Sequence, residues 1–422
     1  MNSPTATGKG IYFILNAINF GLKQNKSITD FDSSLVLLLT VSIFLPFYVS
    51  VVVISLIAVM TVINHKKRAE AFEEPYSKFI VCTMGVTFLI SVVYANHTGM
   101  MYSLVLVAIL VTAFYIRSIM TRQLFNKMMD VACLSSMACA MIAVFQKISV
   151  YSTAPNYRPV STFTNANYYG MMIEFIVLIA LYRLLTNKQD NKFYFIVIGV
   201  NLIGLYLSAS MSSFIAMACA SLVIMLLKGR YKMAAVFVLL AGSFVLCSVL
   251  LPKFFPRIWD IDHTFDQRLN IWSTALKGIE QHPLFGQGPA TYPMIVDEFA
   301  GYKTYHCHNL FLDTLLNYGF VGASAIAFYV FTQIKALVAR FKNNICTNMN
   351  ILVAAAFVAV IVHGFTDVTI FWNQTGMLFL LMFSSTGIHS AYTNRNLHIP
   401  QGMPLLPGYA NRVGAHATYS KD

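Results

Sequence analysis

Residues 34–62 read SLVLLLTVSIFLPFYVSVVVISLIAVMTV, and the way this run divides fixes the topology of everything after it. A helix rises ~1.5 Å per residue, so about 20 apolar residues cross the hydrocarbon layer of a bilayer. The run is longer than one such span and carries Pro46 near its middle. Proline lacks the amide hydrogen and clashes with the preceding turn. Two short helices are expected, about 34–45 and 48–63, with the bend at Pro46. A single kinked helix is the alternative, and it would invert every later segment.

Outward from that run, apolar stretches of spanning length recur near 79–94, 101–116, 130–147, 168–186, 193–208, 213–227, 233–251, 315–339, 351–368 and 376–390. With the first pair they make about twelve transmembrane helices. Of 422 residues, 57% are hydrophobic and 11% are charged, where a soluble protein carries about a quarter charged. The surplus apolar surface must face lipid, and a spanning backbone must satisfy its own hydrogen bonds. The expected fold is therefore all-α and polytopic, one membrane domain over residues 1–390. The tail, 391–422, is polar and rich in Pro and Gly, and is expected to be disordered. The first apolar patch, Ile11–Leu22, is short and broken by Asn16 and Asn19, so it reads as an interfacial helix and not a cleavable signal.

Orientation follows from Lys and Arg in the short loops. One set of helix ends holds Lys66, Lys67, Arg68, Arg117, Arg122, Lys127, Arg183, Lys188, Lys192, Lys228, Arg230, Lys232, Lys335, Arg340 and Lys342. The alternate turns, around Pro46, 95–100, Ala209–Ser212 and 369–375, hold none. This asymmetry supports the split at Pro46 and places both termini in the cytoplasm. The loops Tyr151–Asn167 and Pro252–Asp313 are then external. The net charge of +12 is accounted for by topology, which excludes nucleic acid as the expected partner. The seven cysteines form no CxxC pair, so neither a disulfide framework nor a structural zinc site is indicated.

The large external loop, 252–313, lies between the ninth and tenth expected helices. It carries Trp259, Trp272, His263, His282, His306 and His308. Within it, Asp266–Gln281 places Leu269, Trp272, Leu276 and Ile279 at helical spacing, flanked by Ile271 and Ala275, which predicts an amphipathic helix on the membrane surface. His282-Pro283 ends that helix, and Gly286-Gln287-Gly288-Pro289 makes a turn. No strand precedes it and no Gly-Lys-Ser/Thr follows, so it is not a nucleotide loop. His306 and His308 alternate, but spacing fixes no third ligand, and no metal is expected. Asp260-Ile261-Asp262 reads as a solvated pair.

Three patterns in order carry a resemblance. They are Arg268-x-x-x-Trp272, then Pro283-Leu-Phe-Gly-x-Gly-Pro289, then His308-Asn309-x-Phe-Leu leading to Gly319 and Gly322. Together with Ser161–Gly170 (STFTNANYYG) and His363-Gly-Phe-Thr-Asp367, they resemble the O-antigen ligase and polysaccharide polymerase family across about residues 160–370. The resemblance implies an enzyme that moves a glycan from a polyprenyl pyrophosphate to an acceptor hydroxyl, outside the bacterial cytoplasmic membrane, with no cofactor. Its partners would be that lipid-linked donor, a glycan or lipid-glycan acceptor, membrane lipids and other polysaccharide-export proteins. Polymerisation of repeat units is the preferred form, and ligation of finished glycan the alternative. A flippase would predict internal repeats and midplane charges. No repeat is seen, and the polar residues gather in the external loops.

Charge developing on a pyrophosphate leaving group calls for arginine, whose planar fork binds phosphate oxygens. External arginines are few: Arg158, Arg257 and Arg268. Arg268 and His308 resemble the family's loop arginine and key histidine, which makes them the catalytic candidates. Arg158, Asn309, Glu174, Arg257, Trp272 and Tyr305 are the substrate-binding candidates. Plainer readings stand beside these: a capping role for His308-Asn309, a snorkelling Arg268, an ion pair for Glu174. One departure matters. The family carries an arginine in the region that here reads Leu207–Ser213 (LSASMSS), and Arg158 is the expected replacement.

Overall fold

The structure is a computed structural model that describes residues 29–186, 191–251 and 261–390. The readings made for 11–22, Arg257, Asp260 and the tail 391–422 lie outside the described residues. The fold is all-α, 79% helical, with no strand among the described residues.

Residues 34–62 form two helices. α1 (Asp30–Ser42) ends at Ile43, and Pro46 caps the start of α2 (Phe47–Ile63) with φ −51°. Asp32 at the start of α1 pairs with Lys67 just beyond the end of α2, so the two form a hairpin and not one kinked rod. The break frees carbonyls that the Gln374 amide takes up, at 3.1 Å to Ile43 and 2.6 Å to Leu45. After α2 the chain bends by 105° into the short basic α3 (His65–Ala71).

The helices that follow are α4 (Ser77–Val93), α5 (His97–Ile119), α6 (Arg122–Val150), α7 (Ala166–Thr186), α8 (Asn191–Ser208), α9 (Met211–Leu227) and α10 (Tyr231–Leu250). Beyond them stand α11 (Ile261–Gln281), α12 (Tyr292–Ile295), α13 (Leu310–Lys342), α14 (Thr347–Gly364) and α15 (Asn373–Phe383). A helix stands at each of the twelve expected positions. Among the described residues, seven (α5, α6, α7, α8, α10, α13, α14) are each long and apolar enough to cross a membrane, and the α2–α3 pair makes an eighth if it is one broken span. The chain is a multi-pass membrane protein. α7 is the hub, 78% buried over its most apolar stretch, whereas α10 is 11% buried and turns its apolar side chains outward. Such a surface fits lipid.

The helix ends sort into two faces. On one, the basic residues find partners: Arg183 with Asp130, Arg117 with Glu74, Lys67 with Asp32. On the other, uncharged amides tie the turns together. Asn96 caps α5 through its side-chain oxygen and donates its amide to Gln287 (3.1 Å) and Pro289 (2.8 Å) in the large loop. Gln146 exchanges two 2.8 Å hydrogen bonds with the backbone of Ser161.

The large loop has a small core of its own. Ile271, Ala275 and Ile279 on α11 pack against Tyr292, Ile295, Val296, Cys307 and Leu316. The expected surface helix is present but starts earlier, at Ile261, and its inward face differs from the expected stripe. Leu269 and Leu276 point outward with Phe265, forming a second apolar edge. The turn at Gly286–Pro289 is structural. α13 breaks at Gly319 (φ 61°, ψ −174°), which leaves backbone amides without intrahelical acceptors. Phe320 and Val321 donate instead to Pro283 (2.7 Å) and Leu284 (3.0 Å), and Gly288 donates to Asn317 (2.9 Å). A side chain at Gly319 would run into the Leu284 backbone, and one at Gly286 into that of Asn317.

Candidate active site

The start of α13 builds the site. Asn309 caps the helix: its side-chain oxygen accepts from Phe311 and Leu312, both at 3.0 Å, and its amide donates to Phe365 at 3.2 Å. The residue before it, His308, is thereby thrown into a left-handed conformation, φ 48°. That geometry costs a non-glycine residue about 1–3 kcal/mol and persists only where surroundings hold it. Here three contacts do so. His308 Nδ1 lies 3.2 Å from Asp367 Oδ1, Nε2 lies 3.2 Å from Thr304 Oγ1, and its backbone amide donates to His306 Nδ1 at 3.3 Å.

Asp367 is the junction. It follows α14 in the turn before Asn373 and is 2% exposed. Its Oδ1 accepts from His308 and from the Val368 amide, and its Oδ2 accepts from Asn167 at 2.5 Å. Burial by itself would raise this carboxyl, but the His308 hydrogen bond and the nearby His306, His308 and His363 rings hold it well below the usual carboxylate range. It is thus an anion. A carboxylate only accepts, so the His308 proton sits on Nδ1 and the lone pair is on Nε2.

Asn167 carries the network into the other loop. Its side-chain oxygen accepts from Arg158 at 2.6 Å, and Arg158 Nε donates to the Ser208 carbonyl at 2.8 Å. The Arg158 guanidinium therefore arrives at Leu207–Ser213, the segment that lacks the expected arginine. Arg268 approaches from α11. It is half-buried and makes no hydrogen bond or ion pair among the described residues. Burial lowers its pKa, with Asp367 acting in the other direction. Guanidinium stays charged regardless at ordinary pH.

The remaining candidates separate from this cluster. Glu174 is fully buried in α7, its Oε2 2.9 Å from His363 Nδ1, one turn before Asp367. Its other oxygen and His363 Nε2 have no hydrogen-bond partner. Trp272 packs on the loop core, also with its ring nitrogen unpartnered. Tyr305 is 85% exposed and outside the network. Arg257 lies outside the described residues.

Sequence reading missed Asn167 and Thr304, and left Asp367 open between a hydrated helix end and a contact with the active cavity. Asn167 and Asp367 each stood in a quoted motif, so the signal was present; their meeting was not. Spacing fixed no third ligand for His306 and His308. Folding supplies Asp367, and one donor atom from each of the three lies within 4.8 Å of the others.

Residues 193–327 match the family model for O-antigen ligase. The chain carries an O-antigen ligase domain. The match takes in Arg268, Thr304, His306 and His308, whereas Arg158, Asn167 and Asp367 reach the site from outside it. That domain supports a membrane glycan-transferring enzyme of surface polysaccharide assembly, with polymerisation and ligation both within its range. No curated protein matches the chain.

Proposed function

We propose that the protein is a polymerase of surface polysaccharide repeat units, acting on the outer face of the bacterial cytoplasmic membrane with both termini inside. The donor is an oligosaccharide on polyprenyl pyrophosphate and the acceptor is a hydroxyl of a second glycan. His308 Nε2 takes the acceptor proton as the oxygen attacks the anomeric carbon. An acceptor hydroxyl entering there replaces that of Thr304. The bond from that carbon to the pyrophosphate oxygen breaks, and the electron pair leaves with the lipid pyrophosphate. Arg268, which has no hydrogen-bonded partner among the described residues, neutralises the leaving group, and Arg158 supplies the second cation. Asp367 fixes the His308 tautomer and stabilises the imidazolium that forms. Asn309 positions His308 through its cap. No metal is needed for this route. The membrane domain extends over residues 1–390.

One observation carries this reading: a buried carboxylate on Nδ1 of His308 leaves the Nε2 lone pair for the acceptor hydroxyl, and Arg268 is coupled electrostatically to that same carboxylate. Deleting the gene and sizing the surface glycan tests it. A single repeat unit left on its normal acceptor is the expected result. Bare acceptor with long lipid-linked chains would indicate ligation instead, and an unchanged glycan would overturn both.

A further inference from the structure

We infer that His306, His308 and Asp367 form a three-donor site for a divalent transition-metal ion of the zinc type, and that occupancy switches transfer off. The two histidine Nδ1 atoms stand 3.7 Å and 3.2 Å from the same carboxylate oxygen, Asp367 Oδ1. Zinc holds nitrogen and oxygen ligands at ~2.0–2.2 Å, so tetrahedral donors stand about 3.3–3.6 Å apart. The observed spacings straddle that value. His306 Nδ1 carries its lone pair and not a proton, since it accepts from the His308 amide at 3.3 Å, a bond that an ion would replace.

The shell around these donors is the kind that orients metal ligands. Asn167 holds Asp367 Oδ2, and Thr304 stands at His308 Nε2. The histidine side chains are 16% and 24% exposed, so an ion has access and a fourth position for water. Two imidazoles and one carboxylate favour zinc or a similar ion over magnesium or calcium, which take oxygen ligands. The Arg268 charge opposes any cation here, which argues for a reversibly filled site and not a permanent one.

The consequence follows from the tautomer. A metal on Nδ1 of His308 moves the ring proton to Nε2, where it faces Thr304. Nε2 then has no lone pair for the acceptor hydroxyl. The inhibition rests on the role proposed for His308, whereas the binding does not.

The test uses the full chain in detergent, stripped with chelator and titrated with zinc against a chromophoric indicator. One ion per chain is expected, with affinity lowered at least about 100-fold in His306→Ala and in Asp367→Asn. His282→Ala, away from the cluster, should bind as the parent does. Cobalt(II) at the same site should give tetrahedral visible bands that His306→Ala lacks. No binding, or equal binding in His306→Ala, overturns the site. In a transfer assay zinc should stop the parent and chelator should restore it, while His306→Ala, whatever its own zinc-free rate, should keep that rate when zinc is added. Binding with full activity retained overturns the inhibition and counts against His308 as the base, while leaving the metal site standing.

Discussion

The two faces of this protein use cations in opposite ways. On the basic face, Arg183 makes a two-pronged bond to Asp130, at 3.1 and 3.0 Å, with the Tyr194 hydroxyl on the same carboxylate. Arg340, 1% exposed, bonds Asn350 and the carbonyls of Thr386 and Ile388. Those charges are fixed to the fold. On the site face a buried anion, Asp367, is held by histidines and an amide, and Arg268 is coupled to it with no hydrogen bond among the described residues. Charges that complete the fold are hydrogen-bonded in place. A charge left unpaired at a half-buried site is available to an anionic ligand.

The contrast is broken most directly at His308. His308→Ala should lower transfer by about 10²–10⁴-fold while the protein accumulates normally, read from glycan ladders beside an immunoblot. Asp367→Asn keeps the shape but offers an amide to Nδ1, so the wrong tautomer becomes accessible. A loss of about 100-fold or more is expected. Normal ladders from either variant would mean that the network is structural only.

The arginines sharpen the comparison. Arg268→Ala should cost about 10²–10³-fold as the removal of one electrostatic stabiliser. Arg268→Lys should fall between, because ammonium keeps the charge and loses the fork. Arg158→Ala should cost about 10–100-fold, since it also frees Asn167 from its place on Asp367. If Arg158→Ala were fully active while Arg268→Ala was dead, the idea that Arg158 replaces the missing arginine would fail.

Much of this was readable in the chain before folding. Hydropathy and the Lys/Arg alternation located the helices and separated the faces, because both depend on local composition. Pro46 was readable for the same reason: a missing amide acts within one turn. His308 and Arg268 stood in motifs of fixed spacing. The junction was not readable, since Asn167 and Asp367 are 200 residues apart and meet only when α7 packs beside α14. The inward face of α11 was legible only in part, on similar grounds. Leu269 and Leu276 are as apolar as Ile271 and Ile279, and only the positions of Tyr292 and Leu316 decide which edge is covered.

Smaller effects separate the loop from the basic face. Gly319→Ala forces a side chain into a backbone region open almost only to glycine, against Leu284. A stability loss of about 1–3 kcal/mol is expected, seen as a lower unfolding temperature in detergent, with transfer falling because the loop loses its dock on α13. Asp130→Asn on the basic face should do less. Its carboxylate side chain is 39% exposed, so water compensates Arg183 in part, and about 1 kcal/mol or less is at stake. Transfer per folded molecule should be unchanged, because nothing links Asp130 to the His308 network. A selective loss of transfer in Asp130→Asn, at full stability, would show that the two faces are coupled and that the division drawn here between fixed and available charge is too sharp.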